Sequence, residues 1–146
     1  MKKIIIGLIG LFLLQTANTY SQSAKTSGNL TFSVTGCENN DGQIMVQLYR
    51  KNDEMPSSPF KKVKATIKNN KATVLIEGIP YGDYAAIIVH DENSNGMIDH
   101  SFGIPSEHLG FTNNWELTLF SGMPSFDKLR FAFSLTKTNF SINMDE

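Results

Sequence analysis

YAAIIVHDENSNGMID, residues 84–99, changes character partway along. Its first six residues are apolar without a break, the mark of a strand buried on both faces and therefore central to its sheet. From His90 onward acids, amides and glycines take over. The run HDENSNGMIDHSFGIPSEHLGFTNN, residues 90–114, holds all three histidines of the chain. A central strand that delivers His90 and Asp91 into such a loop predicts plain strands on either side and chemistry in the loop itself.

The flanking segments read as strands. Leu30, Phe32 and Val34 alternate with Thr31, Ser33 and Thr35, which places the apolar set on one face. GCENNDG, residues 36–42, is a turn cluster, and Ile44, Val46 and Leu48 then alternate with Met45, Gln47 and Tyr49. The two runs predict an antiparallel hairpin. RKNDEMPSSP, residues 50–59, carries two prolines and no apolar period, so it reads as a surface loop. Val63, Ala65 and Ile67 alternate with lysines and Thr66, and Ala72, Val74 and Ile76 continue after Asn69-Asn70. That dipeptide signals a tight turn because Asn tolerates positive φ. Downstream, Trp115, Leu117 and Leu119 alternate with Glu116 and Thr118, predicting a strand over 115–120. Asp127-Lys128 suits a single helical turn, Leu129, Phe131, Phe133 and Leu135 make a further strand, and Phe140, Ile142 and Met144 a short last one. About seven or eight strands with regular turn signals and no helix of useful length predict an all-β, antiparallel β-sandwich. Its two sheets would stand about 10 Å apart with the phenylalanines as core between them.

The N-terminus is set apart from this pattern. Lys2 and Lys3 precede an apolar run of 11 residues, 4–14, and Thr19 and Ser21 occupy the −3 and −1 positions of a cut after Ser21. This predicts a secretory signal peptide over 1–21 rather than a membrane span, which needs about 20 apolar residues. Residues 22–27 are polar and read as a loose N-terminus, leaving 28–146 as one domain, secreted or periplasmic. Removing 1–21 takes two lysines and no acid from 13 basic and 14 acidic residues, so 11 face 14 and the formal charge becomes −3. Nucleic acid is thereby disfavoured as a partner. A single cysteine, Cys37, cannot close an internal disulfide and reads as a small packed residue beside a turn.

In the loop, Asp91, Asn93, Asn95, Gly96 and Asp99 fall at positions 1, 3, 5, 6 and 9 of a D-x-N-x-N-G-x-x-D pattern. Ca²⁺ takes about six to eight oxygen ligands, each ~2.3–2.6 Å away. A tightly curled loop aims alternate side chains inward, glycine permits the sharp bend, and Met97 offers a backbone carbonyl. Ile98 would pack inward and fasten the loop. At position 12, where an EF-hand has a bidentate Glu, stands Phe102, and no flanking helices are predicted. The pattern is thus an analogous loop placed after a strand, with Glu107 or Glu92 as a candidate missing carboxylate. With few acids in it, a Kd of about 10⁻⁴–10⁻³ M is expected. The same residues also build plain Asx-turns, so a bare structured loop is the competing reading.

His90, His100 and His108 lie near Asp99 and Glu107, so a Zn²⁺ site or a hydrolase with a His–carboxylate pair must be weighed. The spacings match no usual zinc pattern, no serine sits in a G-x-S-x-G elbow, and His90 at a strand end reads as structural. A non-enzymatic binding or cell-envelope interaction module is the first expectation. A carbohydrate or other envelope-ligand module using Phe111 and Trp115 is the second, and a metal-dependent hydrolase the third.

Taken together, Gly82-x-Tyr84-Ala85, His90-Asp91-x-Asn93-x-Asn95-Gly96-x-x-Asp99, Gly103-Ile104-Pro105-x-Glu107, Gly110-Phe111-x-Asn113 and Pro124-Ser125-Phe126 are a specific set. On these motifs the chain, over roughly residues 30–135, resembles the bacterial secreted family DUF2141, a domain of unknown function. It departs from the family in WELTLFSG, residues 115–122, where members carry a shorter Gly/Pro-rich link, which sets the resemblance against a strand at 115–120. The resemblance implies a prealbumin-like or immunoglobulin-like sandwich and no established activity. The loop is also similar to calcium loops in β-sandwich repeats of bacterial surface adhesins, an analogy only.

Overall fold

The computed structural model describes residues 25–118 and 120–145. The leader read at 1–21 and residues 22–24 of the loose N-terminus lie outside the described residues, as do Leu119 and Glu146. In chain order the strands are β1 (Ser27–Thr35), β2 (Gln43–Tyr49), β3 (Lys61–Thr66), β4 (Ala72–Pro80) and β5 (Gly82–Asp91). Two-residue strands β6 (His100–Ser101) and β7 (Ile104–Pro105), then β8 (Leu109–Phe111), a 3₁₀ turn (Thr112–Asn114) and α1 (Phe126–Leu129) follow. The chain closes with β9 (Phe131–Phe133) and β10 (Asn139–Asn143).

One sheet runs β10-β1-β4; the other runs β3-β2-β5-β8, with β9 also on β5. The fold is an all-β sandwich, and its inner faces carry the alternating apolar sets read from the sequence. Leu30, Phe32, Val34, Val74 and Ile76 from one sheet meet Ile44, Val46, Leu48, Ala86 and Ile88 from the other, with Phe131 and Phe133 at one end. Among the described residues no helix is long and apolar enough to cross a membrane.

Several sequence expectations are corrected here. The expected hairpin of residues 30–35 with 44–49 does not form, because β1 pairs with β4 and β10 while β2 pairs with β3 and β5. Period-2 alternation is the same whether a turn cluster folds a strand back within its sheet or carries the chain across to the other. The crossing is tied down by Asn70, whose Nδ2 donates to the carbonyls of Cys37 at 2.7 Å and Glu38 at 3.1 Å. Asn69 and Asn70 do form the expected tight turn, with φ of 54° and 58°, but its arms part into different sheets. One pair is parallel, β10 alongside β1, a direction that alternation cannot encode. Strand β1 begins at Ser27, inside the segment read as loose. The strand expected over 115–120 is absent among its described residues, and Leu117 and Phe120 are exposed. Of the run from Leu129 to Leu135 only Phe131–Phe133 is strand; Leu129 is buried at the end of α1 and Leu135 is exposed.

Strand β5 is buried without interruption from Tyr84 to Asp91, as its sequence requires. Its outer face is covered by the long excursion between β5 and β9. Met45, Tyr49, Ala85, Ile87, Val89, Phe111 and Leu129 form a second core there, sealed by Met55, Ile98, Leu109, Trp115 and Phe126. This makes sense of Met45 and Tyr49, apolar residues on the face turned away from the sandwich interior. The Tyr49 hydroxyl, bonded to Gln47 and to the Pro56 carbonyl, has its pKa raised by burial.

Strands β8 and β9 occupy the same edge of β5, opposite Ile87–Val89 and Gly82–Tyr84 respectively. In the gap between them the Ala86 N–H would be left without a strand partner. Thr112 supplies one: its Oγ1 accepts from Ala86 N at 3.0 Å and donates to Leu129 O at 2.6 Å. Thr112→Val removes both bonds in a fully buried place and is expected to cost about 1–3 kcal/mol. Urea denaturation checks the loss, and hydrogen exchange should localise it to Ala86 and α1.

Candidate metal-binding loop

The loop starts where β5 ends. The backbone of Asp91 is still paired with Gln43 of β2, so its side chain is held at a fixed, fully buried position. Asp91 Oδ1 accepts from Asn95 N at 2.9 Å, and Oδ2 from Gly96 N at 2.9 Å and Gln43 Nε2 at 2.6 Å. Those bonds curl residues 91–96 around one carboxylate. The curl needs positive φ at Ser94 (59°) and Gly96 (78°), which is why glycine is suited to the latter.

Asp99 closes the ring. Its carboxylate accepts from Asn93 Nδ2 at 2.6 Å and from Asn95 Nδ2 at 3.0 Å and 3.1 Å. Its N–H donates to Glu107 Oε2 at 3.2 Å, and its carbonyl accepts from Ser106 N at 2.9 Å. Glu107 therefore folds back onto the loop, as read from the sequence, carried there by the β6–β7 hairpin. Ile98 fastens the loop by packing against the second core. Met97 joins the network through its N–H, which donates to Asn95 Oδ1 at 2.7 Å. Asp91, Asn93, Asn95, Asp99 and Glu107 are thus brought together. Glu92 is turned elsewhere, accepting from Asn39 Nδ2 at 2.9 Å.

The charge balance at the loop is uneven. None of the ion pairs among the described residues involves Asp91, Asp99 or Glu107. Burial pushes the Glu107 carboxyl above its ordinary pKa; the Asp99 N–H and, more weakly, the Glu92 N–H oppose this, and the charges of Asp91 and Asp99 reinforce it. Glu107 Oε1 is buried with no hydrogen-bond partner. A cation stands on the rim, where Lys64 reaches over Gly96; a Cβ placed on Gly96 would stand 2.9 Å from its Nζ.

The histidines do not converge. His90 is fully buried with Nε2 2.9 Å from the Asp41 carbonyl, an arrangement that makes Nε2 the protonated nitrogen. His100 is exposed on β6, and His108 pairs with Glu38 at 3.0 Å on the surface. Among the described residues no three His, Cys, Asp or Glu side chains are placed to hold a metal ion by themselves. A cation at this loop would therefore depend on amide and backbone oxygens as well as carboxylates. Phe111 is buried, and Trp115 is engaged edge-on by Phe111 at 4.7 Å between centroids and covered by Lys128 Nζ at 5.4 Å. Phe111 is thus withdrawn from solvent, while Trp115 stays half-buried.

Two neighbours of the site escaped the sequence reading. Gln43 reaches Asp91 only because β2 pairs with β5 and not with β1, a partnership alternation does not encode; a polar residue at the head of an apolar run is its local signal. Lys64 belongs to an edge strand whose register with β2 is a long-range property.

No curated protein and no solved structure matches the chain. The bacterial family described as "Uncharacterized protein conserved in bacteria" matches over residues 32–142. That span runs from inside β1 to the penultimate residue of β10 and takes in strands of both sheets and the whole loop. On these grounds the chain belongs to the DUF2141 family.

Proposed function

We propose that the protein is an exported, non-enzymatic β-sandwich module whose loop of residues 91–99 binds Ca²⁺, and that it serves in binding at the cell envelope or outside the cell. The observation that carries the metal reading is the uncompensated acid in the loop. Among the described residues Asp91, Asp99 and Glu107 are linked through one loop network without an ion pair, though not placed as a three-carboxylate cluster, and Glu107 has a buried oxygen with no side-chain or backbone partner within hydrogen-bond distance. The flanking amides suit the task. Asn93 and Asn95 turn their NH₂ groups to Asp99; an amide rotated by half a turn presents its oxygen instead, giving up the bonds from Asn95 N and Met97 N. Asp91, Asn93, Asn95, Asp99 and Glu107, with the Met97 carbonyl, would be the ligands. What supports an exported protein is the leader read at residues 1–21.

At a Ca²⁺ concentration tenfold above Kd the linkage is about 1.4 kcal/mol, a rise of about 5 °C in Tm for a domain of this size. Melts in millimolar Ca²⁺ and in chelator should differ by that amount, and Asp99→Ala should melt alike in both. Identical melts of the wild-type chain with and without Ca²⁺ would overturn the metal reading. The sandwich itself does not depend on the ion.

A further inference from the structure

The outer face of the five-stranded sheet carries an apolar cleft of about 610 Å³ between two loop lips. Gly103, Ile104 and Pro105 line one lip, and Leu117, Thr118, Gly122 and Met123 the other, with Ile87, Ile98 and Phe111 among the residues at its base. Phe102 stands at the tip of the first lip and Phe120 at the tip of the second, 104% and 97% exposed. Met97, Ile104 and Met123 add further exposed apolar side chains.

Phe102 is costly where it is. It and Gly103 are the central residues of the two-residue turn between β6 and β7, with φ of 52° and 80°. Such turns favour Asn-Gly, and a bulky residue at positive φ is strained. Phe102 makes no packing contribution that would offset this strain, since its side chain lies in solvent. Strain retained at a fully exposed aromatic points to a use outside the fold.

Charge on the adjoining strand narrows the partner. Residues 61–71 hold five lysines, and no acid stands between Met55 and Ile76. None of these lysines is in an ion pair among the described residues. Lys62 and Lys64 are in register with Gln47 and Met45, so they face the side of the sheet that the excursion covers. Lys64 reaches the loop at Gly96. Of the nearby acids, Asp99 and Glu107 are turned into the loop network, and Glu116 beside Leu117 is exposed.

We infer that this face docks onto an anionic lipid surface, with Phe102 and Phe120 inserted among the acyl chains and Lys62 and Lys64 against the phosphate headgroups. Exposed aromatic tips and a lysine-bearing strand on the same side of the sheet are complementary to such a surface in both polarity and charge. The inference rests on the envelope role proposed above and not on the metal, so the Ca²⁺ melts leave it untouched.

Partition of the protein is measured on vesicles of phosphatidylcholine alone and mixed with phosphatidylglycerol. Binding to both is expected, tighter to the mixture and weakened there by salt. Phe102→Asn and Phe120→Ser should each lower partition about tenfold on both vesicles. Lys62→Glu with Lys64→Glu should lower it about tenfold or more on the anionic vesicles alone. Phe102→Asn should leave Tm unchanged or raise it, which separates docking from folding. The inference is overturned by failure to bind either vesicle, or by undiminished binding of the phenylalanine variants. A lipid-free dimer abolished by the same variants would also overturn it, because the face would then be covered by a second copy of the chain.

Discussion

Asp91→Ala is expected to lower the stability of the ion-free protein by about 3–5 kcal/mol, since an unsatisfied buried polar group costs about 1–3 kcal/mol. The carboxylate is fully buried and accepts from three donors, Asn95 N, Gly96 N and Gln43 Nε2. Alanine leaves Gly96 N and Gln43 Nε2 without an acceptor and opens a small void at the end of β5. Asn95 is exposed and its N–H can turn to water or to Asn93 Oδ1, 3.0 Å away, so that donor is the least costly of the three. Asp99 is the contrast: its partners are the exposed amides of Asn93 and Asn95, and Asp99→Ala should cost no more than about 1 kcal/mol. Urea denaturation in chelator checks both. Equal losses for the two variants would mean that the sheet end does not depend on the Asp91 carboxylate.

The distinction between these two acids marks how far the sequence could be read. The D-x-N-x-N-G-x-x-D spacing is local, and so is the curl that it produces; the return of Glu107 onto Asp99 is also within reach of a short hairpin. That Asp91 is a framework residue as well as a candidate ligand depends on Gln43, 48 positions away in the chain. The same divide runs through the fold. The alternation in residues 30–35 and 44–49 and the unbroken apolar run in β5 predict strands and their buried faces correctly, because burial follows from periodicity. Partnership does not follow from it. β1 and β2 lie in opposite sheets, and β10 runs parallel to β1. The apolar rhythm of Trp115 and Leu117 comes from a loop in which Trp115 seals the second core while Leu117 borders the cleft. Short-range alternation in an excursion that covers a sheet is indistinguishable from alternation in a strand of it.

Gly42→Ala should be among the most damaging single substitutions in the chain, for reasons that join the sandwich to the loop. Gly42 has φ of 68° and leads into β2 beside the point where β5 becomes the loop. A Cβ there would collide with the Asp91 carbonyl oxygen and stand 2.5 Å from Glu92 Cα and from the Glu92 carbonyl oxygen. All of these are backbone atoms, so no rotamer change can relieve the clash. The left-handed conformation alone costs an alanine about 1–2 kcal/mol, and displacing the strand end brings the expected total to about 4 kcal/mol. Gly78→Ala supplies the control. Gly78 has nearly the same φ, 67°, and nothing within 4 Å of its Cβ position, so only the conformational cost of about 1–2 kcal/mol should remain. The difference between the two variants in urea isolates the close approach of the turn to the strand end. Because the displaced atoms belong to Asp91 and Glu92, Gly42→Ala should also abolish the Ca²⁺-dependent rise in Tm, whereas Gly78→Ala should keep it. A Gly42→Ala protein that melts like Gly78→Ala and still responds to Ca²⁺ would show that the loop is not braced by the turn before β2.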